Sequence, residues 1–129
     1  MPGSLLLDTN AVIALLAGDL AAQNSLSKAE LTFLSSIVLG DLYYGAWKST
    51  QKVANSAKID ALAAKSTVLP IDAVTAWQFG KIKSALRTKG RPIPENDIWI
   101  AALAKQYGLT LLTRDAHFKE VDGIEVENW

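Results

Sequence analysis

The sequence contains no cysteine and only one histidine among its 129 residues. The first absence excludes disulfide bridges, thiolate zinc sites and cysteine nucleophiles, and it suits a reducing compartment such as the cytoplasm. Neither charge sign is in excess: 13 Lys and Arg stand against 13 Asp and Glu. No global positive field therefore draws a polyanion, and any nucleic-acid binding has to come from local patches. Long hydrophobic runs are also missing. The longest helical apolar stretch, Ala11 to Ala17, stops at Gly18-Asp19, well short of the roughly 20 residues that cross a bilayer. The amino-terminal Met1-Pro2-Gly3-Ser4 carries no basic region, so neither a signal peptide nor a membrane partner is expected.

Half of the residues are apolar and 20% are charged, the balance of a globular domain rather than a disordered chain. A chain of this length buries most of its apolar surface unaided, and one domain over residues 1–129 is expected. Leu5-Leu6-Leu7 reads as a short, fully buried strand, with Thr9 or Asn10 as the cap of a helix from Ala11. Leu31 to Ser35 is a second strand candidate, and Ser35 or Ser36 can cap an apolar helix from about Ile37 to Trp47. Val53 to Lys65 is alanine-rich, Thr67 to Ile71 reads as a strand, and Asp72 as the cap of a helix reaching Lys89. Gly90-Arg91-Pro92-Ile93-Pro94 forbids regular structure. Beyond it a helix runs to Tyr107, stopped by Gly108, before a buried strand from Leu109 to Thr113 and a last short one, Ile124 to Val126. This alternation predicts an α/β fold, a mostly parallel sheet with helices on both faces. Such sheets bind ligands at the carboxyl ends of their strands.

Two carboxylates fall at that edge, Asp8 after the first strand and Asp115 just past Thr113. Asp41 and Asp97 lie on helices that are otherwise strongly apolar, where an ionised carboxylate is costly unless paired or metal-bound. If the four converge, mutual repulsion raises some of their pKa values until a divalent cation neutralises them. Hard oxygen donors, without cysteine or clustered histidine, select Mg2+ or Mn2+ over zinc or copper. Magnesium chemistry on a phosphodiester is the obvious use. Each acid also has an ordinary structural role open to it: Asp8 and Asp115 as helix caps, Asp41 and Asp97 as early-helix residues favoured by the dipole.

Thr9, Asn10, Asn96 and Thr113 stand beside these acids, able to hydrogen-bond a carboxylate or a substrate phosphate. His117 follows Asp115 by two residues and could shuttle a proton or touch a phosphate. Glu95 is a candidate fifth acid. Lys81, Lys83, Arg87, Lys89 and Arg91 gather before Asp97 as a possible phosphate-holding flank. Trp47, Trp77, Trp99 and Trp129 could stack on bases, though core or interface anchoring is the commoner use.

Four blocks together resemble a VapC-type PIN domain: Leu5-Leu6-Leu7-Asp8-Thr9-Asn10, Ser35 through Gly45 around Asp41, Asn96-Asp97-Ile98-Trp99-Ile100-Ala101-Ala102, and Leu112-Thr113-Arg114-Asp115-Ala116-His117-Phe118. The tail Gly123 to Trp129 is similar too, so the likeness spans essentially the whole chain. The resemblance implies a PIN-like three-layer α/β/α sandwich and metal-dependent endonucleolytic cleavage of RNA, as the toxin of a toxin–antitoxin pair. It also implies a cognate antitoxin lying across a groove near the active site, and a homodimer. It maps catalytic positions onto Asp8, Asp41, Asp97 and Asp115, with Asp8, Asp97 and Asp115 as metal ligands. Asp41 departs from the family's usual glutamate, one methylene and about 1.5 Å shorter in reach, so its ligation would pass through water or be weaker. Leu39, Tyr43, Tyr44 and Trp47 offer an aromatic helix face for a partner.

Three other readings compete. A phosphatase of the haloacid dehalogenase type wants a second acid where Asn10 stands, and a receiver domain wants a lysine where Thr113-Arg114-Asp115 stands. A PIN-like module that binds metal or a partner without cutting is the third, suggested by the altered acid at position 41.

Overall fold

Four successive residues that all face the interior cannot belong to a half-exposed strand, and Ser4–Leu7 forms β1, buried along its whole length. The computed structural model describes residues 3–129; Met1 and Pro2, part of the tetrapeptide read above for a leader, lie outside the described residues. β1 is the centre of a five-stranded sheet. It pairs with β2 (Leu31–Ser35) on one side and β4 (Thr110–Leu112) on the other. β3 (Thr67–Leu69) and β5 (Glu125–Glu127) complete the order β3-β2-β1-β4-β5, with every pairing parallel.

Parallel neighbours need crossovers, and helices supply them. α1 (Thr9–Leu16) and α2 (Leu20–Ser27) join β1 to β2, and α3 (Ser36–Trp47) and α4 (Lys52–Lys65) join β2 to β3. α5 (Ala73–Lys89) and α6 (Glu95–Tyr107) then carry the chain back past β2 and β1 to β4, and a short 3-10 helix, Ala116–Glu120, precedes β5. Right-handed crossovers running in opposite directions cover opposite faces of the sheet, which gives the three-layer α/β/α sandwich expected. α6 supplies the most continuous buried face, Ile98 and Ile100 through Ala104, and packs against α5 through the stacked rings of Trp99 and Phe79, 3.9 Å between centroids. Gly90 and Gly108 end these two helices at φ of 69° and 64°, a conformation that favours glycine.

The strand order has one consequence for function. From β1 the chain first winds one way, to β2 and β3, and later returns to the other side at β4. The carboxyl ends of β1 and β4 are therefore a topological switch point, where the connections diverge and leave a crevice.

The observed elements depart from expectation in several places. α2 was not foreseen, because Leu20–Ser27 buries only Ala22 and shows little apolar periodicity; the sign of it is Asp19, whose side chain accepts the Ala22 N–H at 3.0 Å. β3 stops at Leu69, since Pro70 has no N–H to continue a ladder. β5 is shifted by one residue, to Glu125–Glu127, by its pairing of Val126 with Leu111. The cap of α1 is Asp8, which accepts the Ala11 N–H at 2.7 Å, rather than Thr9 or Asn10. No helix among the described residues is long and apolar enough to cross a membrane.

Candidate active site

Asp8 leaves β1 at the moment the chain turns into α1, so the same carboxylate that caps the helix is held at the switch point. Its own N–H donates to the Leu112 carbonyl of the neighbouring strand, tying the ends of β1 and β4 together. The side chain is only 4% exposed. Thr113, fully buried at the end of β4, donates its hydroxyl to Asp8 Oδ2 and accepts the Asp115 N–H at 2.9 Å. One hydroxyl thus fixes two acids from two strands.

Asp97 arrives from a different direction, in the first turn of α6. Asp115 caps the 3-10 helix by accepting the His117 N–H at 2.9 Å. The turn this creates swings the His117 ring over the acids: Nδ1 lies 3.1 Å from Asp115 Oδ1 and 3.5 Å from Asp97 Oδ2. One ligand atom from each of Asp97, Asp115 and His117 falls within 4.8 Å of the others. Asp41, in the second turn of α3, joins through neighbours. Thr9 donates to its Oδ2 at 3.2 Å and the Asn96 amide to its Oδ1 at 3.2 Å, so residues beside Asp8 and Asp97 reach it from both sides.

Burial pushes the Asp8 carboxyl above its ordinary range; bonds from Thr113 and Ala11 oppose this and the charge on Asp115 adds to it. Asp97 is likewise raised, first by burial, then by repulsion from Asp115, with Asp8 a smaller contributor and His117 acting in the opposite sense. The acids therefore feel one another across three segments of chain. Among the described residues no Lys or Arg forms an ion pair with any of the four. Desolvated, mutually repelling carboxylates without a fixed cation are a donor set that fits a hard divalent ion.

The four acids predicted from sequence are brought together, with Asp8, Asp97 and Asp115 in direct electrostatic contact and Asp41 at the rim. Thr9, Asn96 and Thr113 bond to the acids. Asn10 is exposed on α1 and bonds to none of them. Glu95 points to an exposed ion pair with Lys83 instead. The basic flank divides: Lys83 and Arg87 border a 340 Å³ pocket with Pro92 and Ile93 near the start of α6, whereas Lys89 turns to the Glu120 carbonyl and Asp122. Of the tryptophans, Trp99 is packed on Phe79, Trp129 lies under Arg114, and Trp47 and Trp77 are exposed. The closeness of His117 to two acids has its sequence signal in the Asp-x-His spacing across a one-turn cap.

Comparison with known proteins follows the same outline. The model of the PIN domain family matches residues 5–124. A Haemophilus influenzae protein, ribonuclease VapC2, is 40% identical over 97 residues, 74% of each chain. The tRNA(fMet)-specific endonuclease VapC of Shigella flexneri is 36% identical over the same share of both. Among solved structures, VapBC2 from Rickettsia felis bound to a promoter DNA fragment superposes with a TM-score of 0.91 at 30% identity, covering 98% of both chains.

Proposed function

This chain belongs to the PIN domain family, and on that premise we propose that it is a metal-dependent endoribonuclease of the VapC kind, the toxin of a toxin–antitoxin pair. The convergence of Asp8, Asp97 and Asp115 at the β1/β4 switch point, through the bonds of Thr113 and the close approach of the Asp97 and Asp115 carboxylates, is the observation that carries the proposal. Mg2+, with Mn2+ as a substitute, would be held by these three carboxylates, and when bound supplies an activated water and a counter-charge for the scissile phosphate. Asp8 is preset by the Ala11 N–H and Thr113, so little reorganisation remains on binding. Asp41, steadied by Thr9 and Asn96, would complete the catalytic acids from the rim, acting on the ion through water or more weakly than the usual glutamate. Asn10 and Asn96, both exposed, would donate to a phosphate oxygen. Lys83 and Arg87, which border a pocket at the start of α6, offer a basic surface for the RNA backbone.

The cognate antitoxin would occupy the 370 Å³ apolar groove that opens from Thr9 and Asp41 between α1, α3 and α4, floored by Leu42 and Ile59 with Ile13 and Leu16 exposed at its lip. Tyr44 and Trp47, solvent-facing on α3, suit a partner or second copy of the chain, whereas Leu39 and Tyr43 pack against the core. The reaction belongs to the cytoplasm, where RNA and antitoxin are found.

The test is cleavage of total cellular RNA by pure protein with magnesium, alongside Asp8→Asn, Asp97→Asn and a chelator. Wild-type cleavage lost in all three controls is the expected result; equal cleavage by the variants would mean a contaminating nuclease. The non-cutting alternative, motivated by Asp41, predicts metal binding without RNA cleavage in the same tubes. Expression in cells with and without the product of the adjacent upstream reading frame completes the case, growth arrest relieved by the neighbour being the expected outcome.

A further inference from the structure

We propose that His117 is a direct nitrogen ligand of the metal in this site, making it a mixed oxygen–nitrogen centre in which the ring strengthens Mn2+ binding more than Mg2+ binding. The proposal rests on the metal-site reading above and adds a ligand that the four acids do not include. The ring is not placed there by chance packing. Asp115 accepts the His117 N–H in the first turn of the 3-10 helix, which fixes the backbone from which the imidazole extends. Phe118, buried at 1% exposure on the next residue, anchors that turn in the core. Nδ1 then lies 3.1 Å from Asp115 Oδ1 and 3.5 Å from Asp97 Oδ2. Ligand atoms about 2.1 Å from a six-coordinate ion are about 3.0 Å apart when adjacent, so an ion seated between the two carboxylates meets Nδ1 as a neighbouring ligand after small adjustments. The side chain is half exposed, which leaves it free to make them.

The chemistry of this donor set has a direction. Mg2+ prefers oxygen and keeps its waters, while imidazole gains value along the first transition series from Mn2+ onward. His117 therefore adds more to Mn2+ affinity than to Mg2+ affinity, and its loss narrows the gap between the two ions.

Pulsed EPR of Mn2+ bound to the whole protein reads the ligand without reference to activity. Wild type is expected to show nitrogen coupling of imidazole type, changed in character by 15N-histidine labelling and absent in His117→Ala and His117→Gln. Titration should show Mn2+ affinity falling about tenfold or more in both variants, with Mg2+ affinity nearly unchanged. Mn2+ bound to wild type and lost in Asp97→Asn, yet without nitrogen coupling, would sink the ligand role while leaving the acidic site intact. Mn2+ binding equally to wild type and Asp97→Asn would remove the site itself. His117 is half exposed, so its variants are expected to fold, which circular dichroism checks.

Discussion

Two aspartates in this chain do the same local job in different surroundings. Asp8 and Asp72 each follow a strand, each caps a helix, and each accepts a backbone N–H, from Ala11 at 2.7 Å and from Thr75 at 3.0 Å. Asp72 stands at the edge of the sheet, exposed, its charge welcomed by Thr75 and Gln106, and its pKa is lowered. Asp8 stands at the centre, desolvated and facing Asp115, and its pKa is raised. A cap is thus no argument against a site: what separates the two is burial and the company of other acids. At Asp8 the capping bond and the place among the other acids coexist in one side chain.

The largest test of that contrast is activity. Asp8→Asn and Asp97→Asn keep shape and remove charge, and each is expected to lower RNA cleavage by at least about 10²-fold, whereas Asp72→Asn leaves the rate of folded protein unchanged. Initial rates on one RNA under magnesium, for all three variants, decide it; comparable losses at positions 8 and 72 would reduce Asp8 to a cap.

That contrast also marks what could be read in the sequence. The convergence of the four acids was legible because carboxylates amid apolar residues and at strand ends are costly unless paired or metal-bound. Helix ends at Gly90 and Gly108 and the cap Asp72 were legible because their chemistry is local. The strand order was not, since β1 pairs with a strand more than a hundred residues away and no short-range signal says which edge β4 joins. For the same reason the double duty of Thr113, bonding Asp8 across the sheet, and the turn of Lys89 toward Asp122 were invisible. α2 escaped for an opposite reason: it buries too little to imprint a pattern.

Metal should act on the centre and not on the edge. A ligand at 100 times its Kd stabilises a fold by about 2.7 kcal/mol, so saturating Mn2+ or Mg2+ is expected to raise the melting temperature of chelator-stripped protein by roughly 10 °C. Asp8→Asn and Asp97→Asn should lose most of that rise and Asp72→Asn none of it. A thermal scan in which Asp97→Asn responds like wild type would place the ion elsewhere.

Without metal, the two caps should bend stability with pH in opposite senses. A carboxyl raised in the fold stabilises the folded state fully below its unfolded value of 3.8 and loses that contribution as pH climbs through the raised value. Asp8 and Asp97 therefore weaken the metal-free protein on the way to neutrality. Asp72, lowered in the fold, contributes above 3.8 and loses that contribution as pH falls through its lowered value. Urea midpoints followed against pH in chelator should show Asp8→Asn flattening the decline toward neutral pH, and Asp72→Asn flattening the fall in acid. Slopes altered in the same sense by both substitutions would contradict the assignment of burial to one and exposure to the other.

The smallest expected effect lies within one helical turn. Glu95 and Asp97 both open α6, where the helix dipole favours acid, and sequence alone admits either to the site. Glu95 faces solvent and pairs with Lys83, each side chain more than half exposed, and such pairs contribute about 0–1 kcal/mol. Asp97, two residues on, turns inward to Asp115 and His117. Glu95→Gln should therefore change stability by no more than about 0.5 kcal/mol and leave both cleavage and metal affinity unaltered. Since the substitution keeps the dipole and removes only the charge, a loss of metal affinity in Glu95→Gln would show that the field at the site reaches beyond the buried acids, and the boundary between cap and ligand would have to be redrawn one turn wider.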